Sequence, residues 1–408
     1  MKDRRLIAPV IALAAAALIL TGCSATTGAT GGSGGSGPIT IGASVPLTGP
    51  LAGFGPIIQE AYQANVDRVN QAGGITIGGT KRKVTLVILD SKSDPNTVAQ
   101  QSRDLILKNN AVALLGSVSP PLAIPAANVA EQQKVPFVTT LTPVEAFRGG
   151  NPGGWKYSWD FFFDEKQMTD LQFKSSDAVS TNKKVALFTD NEQDGIVMGK
   201  LWEGKAASLG YSIATHASFP VGTTDYSSFI QQAKAANAQI LIAQMIPPDA
   251  FALWKQMKAL GWSPSIAHCE KCGAPAAFQK VLGPLAEGTQ TTGWTAPSSD
   301  PLQKSLLATW TAKLGNTGDL QTFMAEYSAA KVVTDALAAA GSTDPAKLNA
   351  AIGKTNALEP FGQKVTFGSD HTAPVLATTV QWQGTNLLEV YPTGDGSTSL
   401  QFPAQGLK

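Results

Sequence analysis

The chain has 408 residues, with 31 Lys and Arg against 30 Asp and Glu and a formal charge of +1. That length exceeds one ordinary hydrophobic core and suits about two domains of roughly 100–200 residues each, while so even a charge balance gives no electrostatic case for nucleic acid. Hydrophobic residues make up 43% and charged residues 15%, against about 25% charged in a typical domain, which excludes disorder of the whole chain, and three cysteines do not make a disulfide scaffold.

Lys2, Arg4 and Arg5 precede an uncharged, mostly apolar run, Ile7–Leu20. This is the charged start and apolar middle of a secretory signal peptide, and it is shorter than the roughly 20 residues of a membrane span. Leu20-Thr21-Gly22-Cys23 follows directly and resembles a bacterial lipobox, in which the chain is cut before the cysteine and the thiol is diacylated. The alternative is an ordinary secretory peptide with an incidental cysteine. Acyl chains on Cys23 would anchor the protein stably, since each buried CH₂ contributes about 0.8 kcal/mol. Residues 1–23 are thus assigned to the signal, with lipidation at Cys23. Residues 24–38 are dominated by Gly and Ser and read as a flexible tether that reaches on the order of 20 Å.

Ile39–Val45 is apolar and β-branched and ends at Pro46, which predicts a buried strand. Pro56 suits the first position of a helix on which Ile58, Tyr62, Val66 and Val69 recur at helical spacing, until Gly73-Gly74 stops it. Val84–Asp90 is a near-continuous apolar run, the mark of a strand covered on both faces. Asp94 and Pro95 cap and open a helix carrying Val98, Leu105 and Ile106. Strand Val112–Gly116, helix Pro121–Gln133 and strand Val135–Thr140 complete this series.

The alternation restarts at Lys184. Strand Val185–Thr189, helix Gly195–Leu209, strand Tyr211–Phe219, helix Tyr226–Ala236, strand Ile240–Gln244 and helix Pro248–Leu260 follow in order. Between the two series lies Arg148–Asp164, aromatic-rich and poor in helix signals, where the domain junction is expected. Helices Leu302–Leu314 and Leu320–Ala340 come next, then strands Gln363–Phe367 and Leu376–Gln383 and a polar tail. Alternation of this kind predicts an α/β fold of two doubly wound, Rossmann-like lobes with parallel sheets.

Enzyme constellations are sparse. The body of the chain has no G-x-S-x-G, no H-E-x-x-H and no P-loop, its three histidines are widely spaced, and no glycine cluster follows a strand and opens a helix as a dinucleotide fingerprint does. The expectation is a protein that is not an enzyme and carries no cofactor or metal. Doubly wound lobes do bring an intrinsic site, because ligands bind beyond the carboxyl ends of the strands, where loops and helix N-termini present N–H groups. Those loops are Pro46–Gly55, Gly116–Pro121 and Thr140–Glu145 in the first lobe, and Asp190–Gly195, Gln244–Asp249 and His268–Gly273 in the second.

Ile41-Gly42-Ala43-Ser44-Val45-Pro46-Leu47-Thr48-Gly49-Pro50, then Gly53-Phe54-Gly55 and Val69-Asn70-Gln71-Ala72-Gly73-Gly74-Ile75, resemble the leucine/isoleucine/valine-binding proteins, the type I solute-binding proteins of bacterial ABC importers. Asp90, Ser93-Asp94-Pro95, Gly116-Ser117-Val118-Ser119, Pro248-Asp249-Ala250, Gly288 and Glu326-Tyr327 continue the resemblance, which covers Ile39 to about Phe367. It implies two lobes joined by a three-stranded hinge, at 39–158 with 295–360 and at 159–294 with 361–408. It also implies a cleft that closes on a small organic solute, and a membrane-embedded ABC permease as partner. The monomeric receptor would face outward from the cell membrane, held there by its lipid alone, and bind no nucleic acid. In the family's amino-acid binders hydroxyls and backbone N–H groups hold the ligand carboxylate, an acid of the other lobe pairs its amine, and an aromatic covers its side chain. Carried over, Phe54 is the cover, Ser117, Val118 and Ser119 form the first hydroxyl loop, and Leu141 and Thr142 lie in the second. Asp194, Ile246 and Glu270 face them, with Glu270 near the acidic position.

The pattern departs from those binders where Pro120 and Pro143 stand in place of Ser and Thr, since proline offers neither hydroxyl nor N–H. Ser119 and Thr142 are then the substitute donors for a carboxylate-bearing solute, a branched-chain type of amino acid by the family's example. Trp155, Trp159 and Phe161–Phe163 either pack the hinge or stack on an aromatic organic acid at the cleft edge. A solute sensor on the same fold is a further alternative. With Cys23 lipidated in an oxidising compartment, Cys269 and Cys272 are expected to bridge and stiffen a cleft loop; a zinc site with His268 lacks ligands, and a thioredoxin-like centre lacks its strand–helix setting.

Overall fold

The computed structural model describes residues 37–394 and 397–408. The signal segment, Cys23 and the tether up to Ser36 lie outside the described residues. The first half runs β1 (Ile39–Val45), α1 (Gly55–Gln71), the hairpin β2 (Ile75–Ile77) and β3 (Thr80–Arg82), β4 (Val84–Asp90), α2 (Pro95–Leu107), β5 (Ala113–Leu115), α3 (Pro120–Gln133), β6 (Phe137–Thr139), α4 (Val144–Gly149) and β7 (Ser158–Asp160). Then come α5 (Glu165–Ser176), β8 (Lys184–Asp190), α6 (Gln193–Ala206), β9 (Ser212–Phe219), α7 (Ser227–Ala235), β10 (Ile240–Gln244), α8 (Pro247–Ala259), β11 (Ile266–Glu270), α9 (Ala276–Leu282) and β12 (Gln290–Gly293). The chain closes with α10 (Pro301–Leu314), α11 (Gly318–Ala340), α12 (Pro345–Ile352), the hairpin β13 (Asn356–Leu358) and β14 (Lys364–Thr366), and β15 (Thr378–Gln383) and β16 (Asn386–Tyr391).

Two sheets organise these elements. The first has the order β4-β1-β5-β6-β7 and is parallel throughout. The second runs β16-β15-β12-β11-β10-β8-β9, parallel from β9 to β12 and antiparallel at β15 and β16. The run Ile39–Val45 is buried as expected, with Ile39, Ile41, Ala43 and Val45 in the core, but Val84–Asp90, expected to be covered on both faces, forms the edge strand β4 and only its Val84 is fully buried. The Asp94 carboxylate accepts the Thr97 N–H and caps α2, as its sequence predicts. Helix α11 packs on α1 and under β5 and β6 of the first sheet, whereas α5 packs on α6 and β15 of the second. Each fully buried aliphatic or aromatic side chain contributes about 1.5–3 kcal/mol to this packing.

The chain passes between the sheets three times, after β7, after β12 and before β15, which is the two-lobe, three-crossing arrangement expected. In each sheet strand order reverses beside the first strand of the lobe, between β4-β1 and β5 and between β9-β8 and β10. Those are the switch points at which loops splay apart and leave a crevice. Two further expectations are corrected. The aromatic stretch 148–164 is not a bare junction, because Ser158–Asp160 adds β7 as the edge strand of the first sheet. The polar tail contains β16, which pairs with β15 across a tight turn at Gly384.

Candidate ligand-binding site

The carboxyl ends of the two sheets face each other across a cavity with about 550 Å³ of empty space, open solvent at its mouth included. Its rim is closed: a Cβ built on Gly53 of the first lobe would lie 3.8 Å from Ala277 Cβ and 4.0 Å from Pro275 Cβ of the second.

The first lobe supplies Phe54, Val118, Ser119, Pro120, Leu141 and Pro143. Gly116 lets this wall approach β6, for a Cβ there would meet Thr139 Oγ1 at 2.0 Å. Ser119 then takes a left-handed backbone, φ 75°, a strained conformation for a residue with a Cβ. It is held there by its N–H donating to Leu141 O (3.0 Å) and its carbonyl accepting from Leu122 and Ala123 N–H. The Ser119 hydroxyl is buried and makes no hydrogen bond within the chain. Ser117, Thr142 and Ile246 are also buried but do not line the cavity. Leu141 and Pro143 on either side of Thr142 face inward and Thr142 between them turns away; Ile246 sits in the core beneath the start of α8.

The starts of α3, α4 and α8, expected to offer amides to an anion, do not do so here. Helix α3 begins Pro120-Pro121 and α8 begins Pro247-Pro248, so the first two positions of each lack an N–H. The amides of α4 are already taken: Glu145 N–H and Ala146 N–H donate to Glu165 Oε2 (3.1 Å) and Oε1 (2.8 Å).

The junction aromatics divide. Trp155 stacks on Phe147, Trp159 on His371 and Phe161 on Phe361, all as packing. Phe162 and Phe163 instead line the cavity with Trp294 and Met168. Phe162 lies 4.0 Å from Phe163 and meets Trp294 edge-on at 5.2 Å, centroid to centroid. The Trp294 indole N–H donates to Gln321 O at 2.9 Å and so fixes the ring.

Polar groups come mainly from the second lobe. Register places Gln244, the last residue of β10, beside Glu270, the last of β11. Glu270 is 1% exposed; its Oε2 accepts the Thr292 N–H at 3.0 Å and its Oε1 makes no hydrogen bond. Burial pushes its pKa up to about 7, against the lowering effect of the Thr292 bond. Gln244 donates Nε2 to Asp194 Oδ2 at 2.9 Å, and its Oε1 is likewise without a partner. Lys271 also lines the cavity, but its ammonium faces Glu192 at 2.5 Å, Asp194 at 3.1 Å and Asp190 at 3.8 Å. Burial alone would lower its pKa, yet Asp194, Asp190 and Glu192 outweigh that and hold it above its ordinary value. Asp190, Glu192 and Asp194 bring three carboxylate oxygens within 4.8 Å of one another, and Lys271 is the cation they surround. Cys269 and Cys272 are bonded, Cα to Cα 5.5 Å, and both are fully buried. Their ring encloses Glu270 and Lys271. His268 does not line the cavity: its Nε2 contacts Ser176 Oγ at 3.3 Å and its Nδ1 lies 3.8 Å from Glu270 Oε1, and burial pushes its pKa down to about 3 and keeps it neutral.

Of the residues expected from sequence, the structure thus brings together Phe54, Val118, Ser119, Leu141, Asp194 and Glu270. The sequence reading missed Gln244, Lys271, Thr291, Thr292 and Trp294 as lining residues. The signal for Gln244 was available, as a polar residue ending an otherwise apolar strand at a switch point.

Two doubly wound lobes closed over a mixed apolar and polar cavity define a solute-binding protein. The chain belongs to the periplasmic binding protein family, whose sequence profile matches residues 38–386. It is similar to the Leu/Ile/Val-binding protein homolog 7 of Brucella abortus (strain 2308), 24% identical over 389 residues that cover 90% of this chain and 94% of that protein. Among solved structures, it is similar to the branched-chain amino acid transporter substrate-binding protein LivJ of Streptococcus pneumoniae in complex with isoleucine, with a TM-score of 0.75, 20% identity and coverage of 86% and 97%. It is also similar to a solute-binding protein of an ABC transporter of R. palustris in complex with benzoate, with a TM-score of 0.73, 16% identity and coverage of 87% and 96%. Among the described residues no helix is long and apolar enough to cross a membrane.

Proposed function

We propose that this chain is the lipid-anchored, extracytoplasmic receptor of an ABC importer, and that it takes a small apolar solute bearing an amine, with apolar amino acids as the first class to test. The Glu270 carboxylate carries this reading: it lies at the cavity wall with one oxygen unpaired. A buried acid in that position is stabilised by an incoming ammonium, which supplies both charge and hydrogen bonds. Gln244 Oε1 adds a second acceptor, and Phe54, Phe162, Phe163, Met168 and Trp294 give an apolar seat for the side chain. Ser119 offers a hydroxyl to a carboxylate. Solute enters the open cleft, the crossings flex, the lobes close and exclude water, and the permease recognises the closed form. Acylation of Cys23 and the Gly/Ser tether keep the receptor near that permease.

An aromatic acid is a second reading, favoured by the four aromatic side chains around the cavity and by the benzoate-bound protein of similar structure. Thermal-shift screening separates the two, because a solute that binds only the folded form raises its apparent stability. Apolar amino acids are expected to raise the melting temperature at pH 8 and benzoate to leave it unchanged; the reverse result favours the acid reading.

A further inference from the structure

Each side-chain nitrogen lining the cavity already has a partner. Gln244 Nε2 is bound to Asp194, Lys271 Nζ to Glu192 and Asp194, and the Trp294 indole to Gln321 O. The starts of α3 and α4 on the first-lobe side offer no amide in their place, one opening with two prolines and the other capped by Glu165. The buried side-chain polar atoms left without hydrogen-bond partners at the wall are Ser119 Oγ, Gln244 Oε1 and Glu270 Oε1, two of them pure acceptors, the last 3.8 Å from Nδ1 of the neutral His268. A ligand ammonium satisfies both acceptors. A ligand carboxylate meets hydroxyls, from Ser119, Thr291 and Thr292, but no free cationic side chain, and burying an anion without one is costly.

From this imbalance we infer that the solute's carboxylate is dispensable, and that the cavity accepts apolar primary amines lacking one. This rests on the amine reading of Glu270 proposed above and extends it to a different ligand class. In such a complex the ammonium bonds Glu270 Oε1 and Gln244 Oε1 while the alkyl or phenyl group lies against Phe162, Phe163 and Trp294. Ser119 then has no essential part.

The test is calorimetry on the whole protein with two matched sets of probes. One set is 2-phenylethylamine, L-phenylalanine and 3-phenylpropanoate; the other is 3-methylbutylamine, L-leucine and 4-methylpentanoate. In at least one set the amine is expected to bind within about tenfold of its amino acid, with the acid not binding. Amine affinity is also expected to fall about tenfold from pH 8 to pH 6 as Glu270 takes up a proton. An amino acid that binds while its amine is a hundredfold weaker overturns the inference and leaves the proposed function standing. An acid that binds while the amines do not, more tightly at pH 6 than at pH 8, overturns both, as does binding by no member of either set.

Discussion

Replacing Glu270 by Gln separates what this carboxyl does for the fold from what it does for the ligand. Burial holds its pKa at about 7, against an ordinary value of 4.5. The folded empty protein therefore holds a proton more tightly than the unfolded chain. Stability is fully present below about pH 4.5 and is lost as the pH rises through about 7. At pH 8 the cost is on the order of 3 kcal/mol, at 1.36 kcal/mol per pH unit. Gln keeps the acceptor for Thr292 N–H and carries no charge, so Glu270→Gln should recover about 1–3 kcal/mol at pH 8 and nothing at pH 4. Binding moves the other way. Loss of a charge-assisted hydrogen bond costs about 1.5–3 kcal/mol, roughly ten- to a hundredfold in Kd. Thermal unfolding between pH 4 and 8, with calorimetry on the best-binding amine or amino acid, reads both effects. A variant whose melting temperature tracks the wild type at every pH, or which binds as tightly at pH 8, would refute the placement of Glu270 as the buried, ligand-pairing acid.

Cys23→Ala should move the protein from the membrane fraction to the soluble fraction on centrifugation; retention at wild-type level argues against the lipid anchor. Ser119→Ala should leave amine affinity within about twofold and weaken an amino acid by about two- to tenfold, the worth of a neutral hydrogen bond. Thr142→Ala should change neither, because Thr142 does not face the cavity; a calorimetric loss there would count against the described wall. Lys271→Met leaves Asp190, Glu192 and Asp194 around an apolar group, and breaking such a buried pair costs about 3–5 kcal/mol. Its melting temperature should fall more at pH 8 than at pH 5, where Asp190, already pushed up to about 7 by burial, is protonated.

Much of the fold was legible because the signals were local. The runs in β1, β4 and β10, the Asp94-Pro95 cap and the glycine stops after α1 and α8 each depend on a few neighbouring residues. The strands missed include β7, whose Ser158, Trp159 and Asp160 carry no strand-like alternation, and β16, which forms only because β15 is there to pair with; β11, which carries Glu270, β12 and the short hairpin strands β2, β3 and β13 were missed as well. The site was legible by loop and not by side chain. Phe54, Ser119 and Glu270 face the cavity because they end strands or begin helices at the switch points. Which of Val118, Ser119, Leu141 and Thr142 point inward depends on left-handed backbones at Ser119 and Leu141, which no spacing rule reveals. Capture of the α4 amides by Glu165 joins residues of two elements across a crossing, and so could not be read from either one.

A crystal structure of the protein with the solute that most raises its melting temperature tests the account most directly. The solute is expected in the closed cleft, its nitrogen within hydrogen-bonding distance of Glu270 Oε1 and Gln244 Oε1 and its apolar part against Phe162, Phe163 and Trp294. A solute lying outside the cleft, or one that turns a carboxylate toward Glu270 with no amine near it, would contradict the account.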